Sequence, residues 1–168
     1  ISSYSIHHNL ILGKVDVTSG GIDLELKNNT IIADSLNNYS FLRVGFDMGS
    51  VDITNNIMIC TGENIGLYYP HSPLADSANI EYNLMYGFEQ FSYSRFALDF
   101  ELDESNLFGV DPLLVSLDPL DPRPTPDSPC VDAGDPDSPL DPDSSRADIG
   151  MFYYHHELRV IERKDVRL

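Results

Sequence analysis

Residues able to do chemistry are plentiful in this sequence, and most of them are carboxylates. Asp23, Glu25, Asp52 and Glu81 stand at positions that a stacked repeat would bring near one another. Paired carboxylates of that kind can serve as general acid and base. The only cations before residue 110 are Lys14, Lys27, Arg43 and Arg95. A solvated outer face explains the same four acids without catalysis, and that reading is preferred. No catalytic residue is assigned.

A second set, Asp135, Asp137, Asp141 and Asp143, alternates with Pro, Ser and Leu. Carboxylates mixed with backbone carbonyls suit Ca²⁺, which makes calcium the candidate cofactor and these four residues its candidate ligands. The run is not an EF-hand, because Pro stands where that loop needs Gly and no Glu closes it. The competing reading is a rigid solvated turn in which the aspartates accept backbone N–H groups.

The remaining reactive side chains say less. His7–His8 and His155–His156 are neighbours, and neighbours on a strand face opposite ways, so neither pair can chelate one ion as a unit. His71 stands alone. Cys60 and Cys130 are the only thiols and are read as buried, although their separation leaves pairing open. Tyr68, Tyr69, Phe88, Phe91, Tyr93 and Phe96 could stack on a sugar, but core packing explains them more simply.

These residues need elements to position them. The chain has 168 residues and a net charge of −17, enough for one domain and far too acidic for nucleic acid as a default partner. No stretch reaches the roughly 18 continuous apolar residues of a transmembrane segment. Charge is uneven: residues 99–148 carry 14 acidic and 2 basic side chains, and nine of the 11 prolines lie between Pro112 and Pro142. Three parts follow: a patterned body over 1–110, a Pro/Asp-rich segment over 111–156, and a tail over 157–168 that adds a strand or leads to an anchor. Helix formers are scarce, and composition points to an all-β chain.

The body repeats itself around asparagine. Ile6-His7-His8-Asn9-Leu10-Ile11, Leu26-Lys27-Asn28-Asn29-Thr30-Ile31, Ile53-Thr54-Asn55-Asn56-Ile57-Met58 and Ile80-Glu81-Tyr82-Asn83-Leu84-Met85 share one form; a fifth phrase around Asn106 has one extra residue. The Asn positions 9, 29, 56, 83 and 106 are 20, 27, 27 and 23 residues apart. Units this short cannot form their own cores, but stacked ones can, with about 4.8 Å between paired strands. Each Asn is expected at a corner. Its side chain can bond turn backbone and its neighbours in a ladder, and the residue tolerates the left-handed φ of a turn. A β-sandwich with Asn-rich loops is the alternative; it has no reason to repeat one phrase five times.

These phrases resemble the right-handed parallel β-helix repeats of the pectin-lyase-like superfamily. Downstream, Asp127-Ser128-Pro129-Cys130-Val131-Asp132-Ala133-Gly134-Asp135-Pro136 and Arg146-Ala147-Asp148-Ile149-Gly150 are similar to the closing segment of secreted bacterial β-helix proteins. The resemblance implies a parallel β-helix of about five coils, the C-terminal part of a longer secreted or cell-surface protein. It implies a structural or binding scaffold, carbohydrate-associated or part of a surface assembly. The alternative is a fragment of a polysaccharide lyase or glycoside hydrolase, but the carboxylate and cation motifs of those enzymes are absent. The expected partner is a polysaccharide, or another protein chain at an open end of the stack. Arg146 is expected to bridge Asp132, Asp135 or Asp148.

Overall fold

The computed structural model describes residues 2–17, 22–34, 42–44, 49–61, 78–88, 102–117 and 120–156. The tail 157–168, His71, and all of the aromatic set except Phe88 lie outside them. Among the described residues there is no helix, and the strands build parallel sheets.

One sheet holds β1 (Ser2–His7), β4 (Ile22–Lys27), β7 (Val51–Thr54) and β9 (Ala78–Glu81), all parallel, in that order. A second holds β2 (Leu10–Leu12), β5 (Thr30–Ala33), β8 (Ile57–Cys60), β10 (Leu84–Tyr86) and β11 (Leu107–Phe108), also parallel and in chain order. A short parallel pair joins β3 (Val15–Val17) to β6 (Leu42–Val44), and β12 (Leu114–Leu117) with β13 (Leu120–Pro124) forms an antiparallel hairpin. The register is regular: Leu24, Val51 and Ala78 align, as do Leu26, Ile53 and Ile80.

Two residues make each corner between the sheets. The first, His8, Asn28, Asn55 or Tyr82, has φ between 52° and 59°. The second, the repeated Asn, is not left-handed. The preceding residue makes the bend, leaving the repeated Asn free to bond. Its Oδ1 accepts the backbone N–H of the Asn one unit earlier in the chain, at 3.0 Å for the pairs 9–29, 29–56, 56–83 and 83–106. Its Nδ2 reaches the carbonyl of the residue three before the Asn in the preceding unit: Ile6, Leu26, Ile53 and Ile80, at 2.7–2.8 Å. Nδ2 also lies near the carbonyl closing its own strand and near the next Asn Oδ1, so its two hydrogens serve three acceptors. Asn29, Asn56 and Asn83 are fully buried by this stacking.

The apolar residues follow the corners. The core between the sheets contains Leu24, Leu26, Ile53 and Ile80 from one side and Ile31, Met58, Cys60 and Met85 from the other. In β8 the alternate side chains, Ile57 and Ile59, are buried too, because another element covers that face. That element is the Pro/Asp-rich segment, whose Cys130, Ala133 and Ile149 pack against Ile57, Ile59 and Leu84. Its two motif phrases clasp each other: Gly134 N–H donates to the Ala147 carbonyl at 2.7 Å, and Ile149 N–H to the Cys130 carbonyl at 3.0 Å. Gly150 then donates to the Asn55 carbonyl at 2.8 Å, with φ 111° and no room for a Cβ beside Ile57. A side chain there would be strained and would collide with the core. Cys60 and Cys130 are both buried, one on each face of the second sheet, and form no disulfide. Burial pushes the Cys130 thiol pKa up to about 12.

The ladder sets a graded expectation. Asn56→Leu removes one side chain from a fully buried rung and should cost about 1–3 kcal/mol in urea unfolding. Asn9→Leu, at the exposed end rung, should cost less than half as much. Equal costs would mean that the ladder contributes nothing beyond each residue's own turn.

Candidate functional site

Two places gather polar side chains. The first is the outer face of the first sheet, where alternation puts Ser5, His7, Glu25, Lys27, Asp52, Thr54, Asn79 and Glu81 opposite the core. Glu25 and Asp52 are register partners, as are Thr54 and Glu81. Lys27 Nζ stands 2.5 Å from Asp52 Oδ2 and 4.0 Å from Glu25 Oε1. Asp52 also accepts from Thr54 Oγ1 at 2.5 Å and Asn79 Nδ2 at 3.3 Å, and Glu25 accepts from Ser5 Oγ at 2.6 Å. Asp23 lies further along the strand and accepts the Ser50 backbone N–H at 2.7 Å.

Protonation on this face follows from those contacts. Burial works to raise the Asp52 pKa, but its bonds to Lys27 and Thr54 outweigh burial and hold it below the ordinary value. The Ser5 hydroxyl and then Lys27 lower Glu25, and the Asp52 hydrogen bond raises Lys27. Glu81 moves the other way, raised by burial and then by Asp103 and Asp135. Three of the four acids weighed from sequence therefore share one neighbourhood, while Asp23 stands apart. Sequence reasoning missed the role of Lys27. Its position, two before the repeated Asn and equivalent to Thr54 and Glu81, was the available signal.

The second place is a cavity of about 290 Å³ where the Pro/Asp-rich segment crosses the corners. Its lining includes His8, Asn28, Asp141, Asp148, Phe152 and Tyr153. Among the four candidate calcium ligands only Asp141 lines it. Asp135 accepts Asp137 N–H at 2.9 Å and Ser138 Oγ at 3.2 Å; Asp143 accepts Ser145 N–H and Oγ, and His156 N–H at 2.9 Å. Asp137 is exposed. Among the described residues no three His, Cys, Asp or Glu side chains converge in a group able to hold a metal. Asp135 and Asp143 each cap a turn, while Asp141 accepts the more distant Asp148 N–H.

Arg146 does not meet Asp132, Asp135 or Asp148 as expected. Its Nε donates to the Gly134 carbonyl at 2.6 Å, and its guanidinium lies 5.7 Å from the centre of the Tyr82 ring. A backbone carbonyl inside the motif clasp and an aromatic face take it instead. The neighbouring histidines diverge: His155 Nδ1 lies 3.7 Å from Asp143 Oδ2, and His156 Nε2 lies 3.2 Å from Asp132 Oδ2 without hydrogen-bond alignment.

Asp148 is buried in this region and Asp141 half-buried. Asp148 accepts the N–H groups of Asp132 and Tyr154, yet burial still raises its pKa. Asp141 accepts Asp148 N–H at 2.9 Å; burial and the Asp148 charge raise its pKa to about 6. Asp143 is pulled well below the usual range, first by the Ser145 hydroxyl.

Comparison with protein-family models, curated proteins and solved structures returns no match.

A raised carboxyl pKa means that the fold binds the proton more tightly than the unfolded chain. Stability contributed by Asp141 therefore falls as pH rises from about 4 to about 6, while Asp143 works in the opposite sense at lower pH. Asp141→Asn keeps an acceptor for Asp148 N–H and should raise the melting temperature at pH 7.5 more than at pH 4. The exposed control Asp137→Asn removes the same charge and should give a smaller change. Matching profiles for the two variants would show that only net charge matters.

Proposed function

We propose that this chain is a right-handed parallel β-helix module resembling the pectin-lyase-like superfamily. In this reading it is an extracellular scaffold that holds carbohydrate or another protein chain rather than transforming a substrate. The Asn ladder carries the reading: a stack fixed at successive corners by side-chain amides, buried at Asn29, Asn56, Asn83 and Asn106, is a rigid rod suited to presenting surfaces. The carbohydrate role falls to the cavity beside the corners, where imidazole, amide and carboxyl groups stand against Phe152 and Tyr153. Rings that pack on apolar sugar faces, with polar groups at their edges, are the usual means of holding a sugar. The acidity of the chain favours neutral over uronic-acid glycans.

An enzymatic reading draws on one observation. Glu81 is raised while Asp52 is lowered on the same outer face, and divergent carboxyl pKa values mark acid–base pairs. Against it, Asp52 is already engaged by Lys27, Thr54 and Asn79.

Turnover separates the two. Incubation with pectin, alginate and neutral glucans should release no unsaturated or reducing ends, while an array of neutral glycans should retain the chain and lose it with Tyr153→Ala. Products that disappear with Glu81→Gln would establish the enzyme instead.

Calcium at Asp135, Asp137, Asp141 and Asp143 belongs to the same proposal. A ligand that binds only the folded chain stabilises it by about 2.7 kcal/mol at 100 times its dissociation constant. Millimolar Ca²⁺ should therefore raise the melting temperature over chelator at matched ionic strength. No difference would leave turn capping as the role of the four.

A further inference from the structure

The left-handed corner residues His8, Asn28, Asn55 and Tyr82 form a row, and the Pro/Asp-rich segment crosses it. Two of the four are engaged by that segment. The Tyr82 ring lies 5.7 Å from the Arg146 guanidinium, and the Asn55 amide bonds Asp135 N–H and Ser138 Oγ. His8 and Asn28 line the cavity of about 290 Å³ instead. Among the described residues no hydrogen bond reaches the Asn28 side-chain amide, although it is the equivalent of the Asn55 amide one unit earlier.

Across the cavity stand Asp141, Asp148, Phe152 and Tyr153. Both Asp148 oxygens are taken, Oδ1 by Asp132 N–H and Oδ2 by Tyr154 N–H. Asp141 differs. Its Oδ2 accepts Asp148 N–H at 2.9 Å, and among the described residues its Oδ1 accepts nothing. The like charges of Asp148, Asp143 and Asp132 bear on it. No Lys or Arg is found among the described residues that line the cavity, and His8 is the one base there. An open carboxylate oxygen, an open amide, two aromatic rings and uncompensated negative charge thus share one concavity. An anion would be repelled there, and a wholly neutral ligand would cover the carboxylate without pairing it. A cation beside both a carboxylate and an aromatic face gains from each.

From these we infer that the cavity binds one hexosamine unit, a sugar bearing a protonated amine, with its ammonium on Asp141 Oδ1 and its ring beside Phe152 and Tyr153. This rests on the carbohydrate reading of the same cavity and names its ligand. The volume falls at the foot of the range for small-molecule sites, roughly 300–1,000 Å³, and suits a single ring rather than a stretch of polymer. The Asn28 amide then takes a ring hydroxyl, as the Asn55 amide takes Ser138 Oγ.

The probes are methyl glucosaminide, methyl N-acetylglucosaminide, methyl glucoside and ethylammonium. Each is titrated into isotopically labelled full-length chain at pH 7, in chelator and physiological salt, and followed by amide shifts. Methyl glucosaminide should bind about tenfold more tightly than the other three, the yield of one charge-assisted hydrogen bond. Its shifts should centre on Asn28, Asp141 and Tyr153. Asp141→Asn keeps an acceptor for Asp148 N–H and should bring the glucosaminide down to the affinity of the glucoside. Asn28→Gly keeps the left-handed corner and should weaken the two alike. The control Asp127→Asn removes an exposed charge outside the cavity and should keep the preference. Amide-exchange protection of Asn29, Asn56 and Asn83 checks that each variant keeps its ladder. Equal binding of glucosaminide and glucoside, a preference that survives Asp141→Asn, or one lost as much in Asp127→Asn would overturn the inference. So would ethylammonium binding as tightly as the glucosaminide, which would make the site one for any amine. In each of these cases glucoside binding that Tyr153→Ala abolishes leaves the carbohydrate reading standing, whereas no shifts with any of the three sugars removes both.

Discussion

A side-chain amide can do what a backbone peptide does, offering one acceptor and a two-hydrogen donor. Here that equivalence holds the corners together. Where the chain leaves one sheet for the other, backbone groups at the bend have no strand partner, and leaving them buried and unpaired would cost about 1–3 kcal/mol each. Asn29, Asn56, Asn83 and Asn106 fill that role unit after unit, bonding forward and backward along the stack. The register of both sheets follows. Once Asn56 sits between Asn29 and Asn83, Ile53 must lie over Leu26, and Met58 over Ile31.

The ladder also explains why the residue before it carries the left-handed φ. Asn28 and Asn55 take that conformation readily, while His8 and Tyr82 do so at a cost of order 1–3 kcal/mol that the surrounding bonds offset. The strain turns these side chains outward. Asn55 gains most: its Oδ1 accepts Asp135 N–H at 2.7 Å and its Nδ2 donates to Ser138 Oγ at 3.1 Å. The corner that folds the body thereby becomes the dock for the segment that follows it.

That segment resolves a conflict between charge and burial. It carries much of the negative charge of the chain, yet it covers the outer face of an apolar sheet. Prolines and turns let it present Cys130, Ala133 and Ile149 to the sheet while Asp111, Asp135 and Asp143 each spend an oxygen on a backbone N–H group two residues away. Asp141 and Asp148 bond across the segment instead, and the raised pKa of each records the burial that docking imposes.

Much of this was legible in the sequence. The spacing of Asn9, Asn29, Asn56, Asn83 and Asn106 determined that equivalent residues stack, because a side chain that bonds only its own kind must recur once per unit. The apolar residue three places before each of the first four Asn marked the inward face for the same reason. Other features were decided by tertiary structure alone. Lys27 meets Asp52 across strands, a pairing set by register rather than by distance in the chain. Asp135 and Gly150 reach Asn55 from 80 and 95 residues away, and Arg146 leaves the carboxylates for Gly134 because its neighbours in space are fixed by the clasp. A repeat writes its own contacts into the sequence, since each unit's environment is a copy of itself. A segment that docks on the repeat has no such copy, and its partners are settled only when the surface beneath it exists.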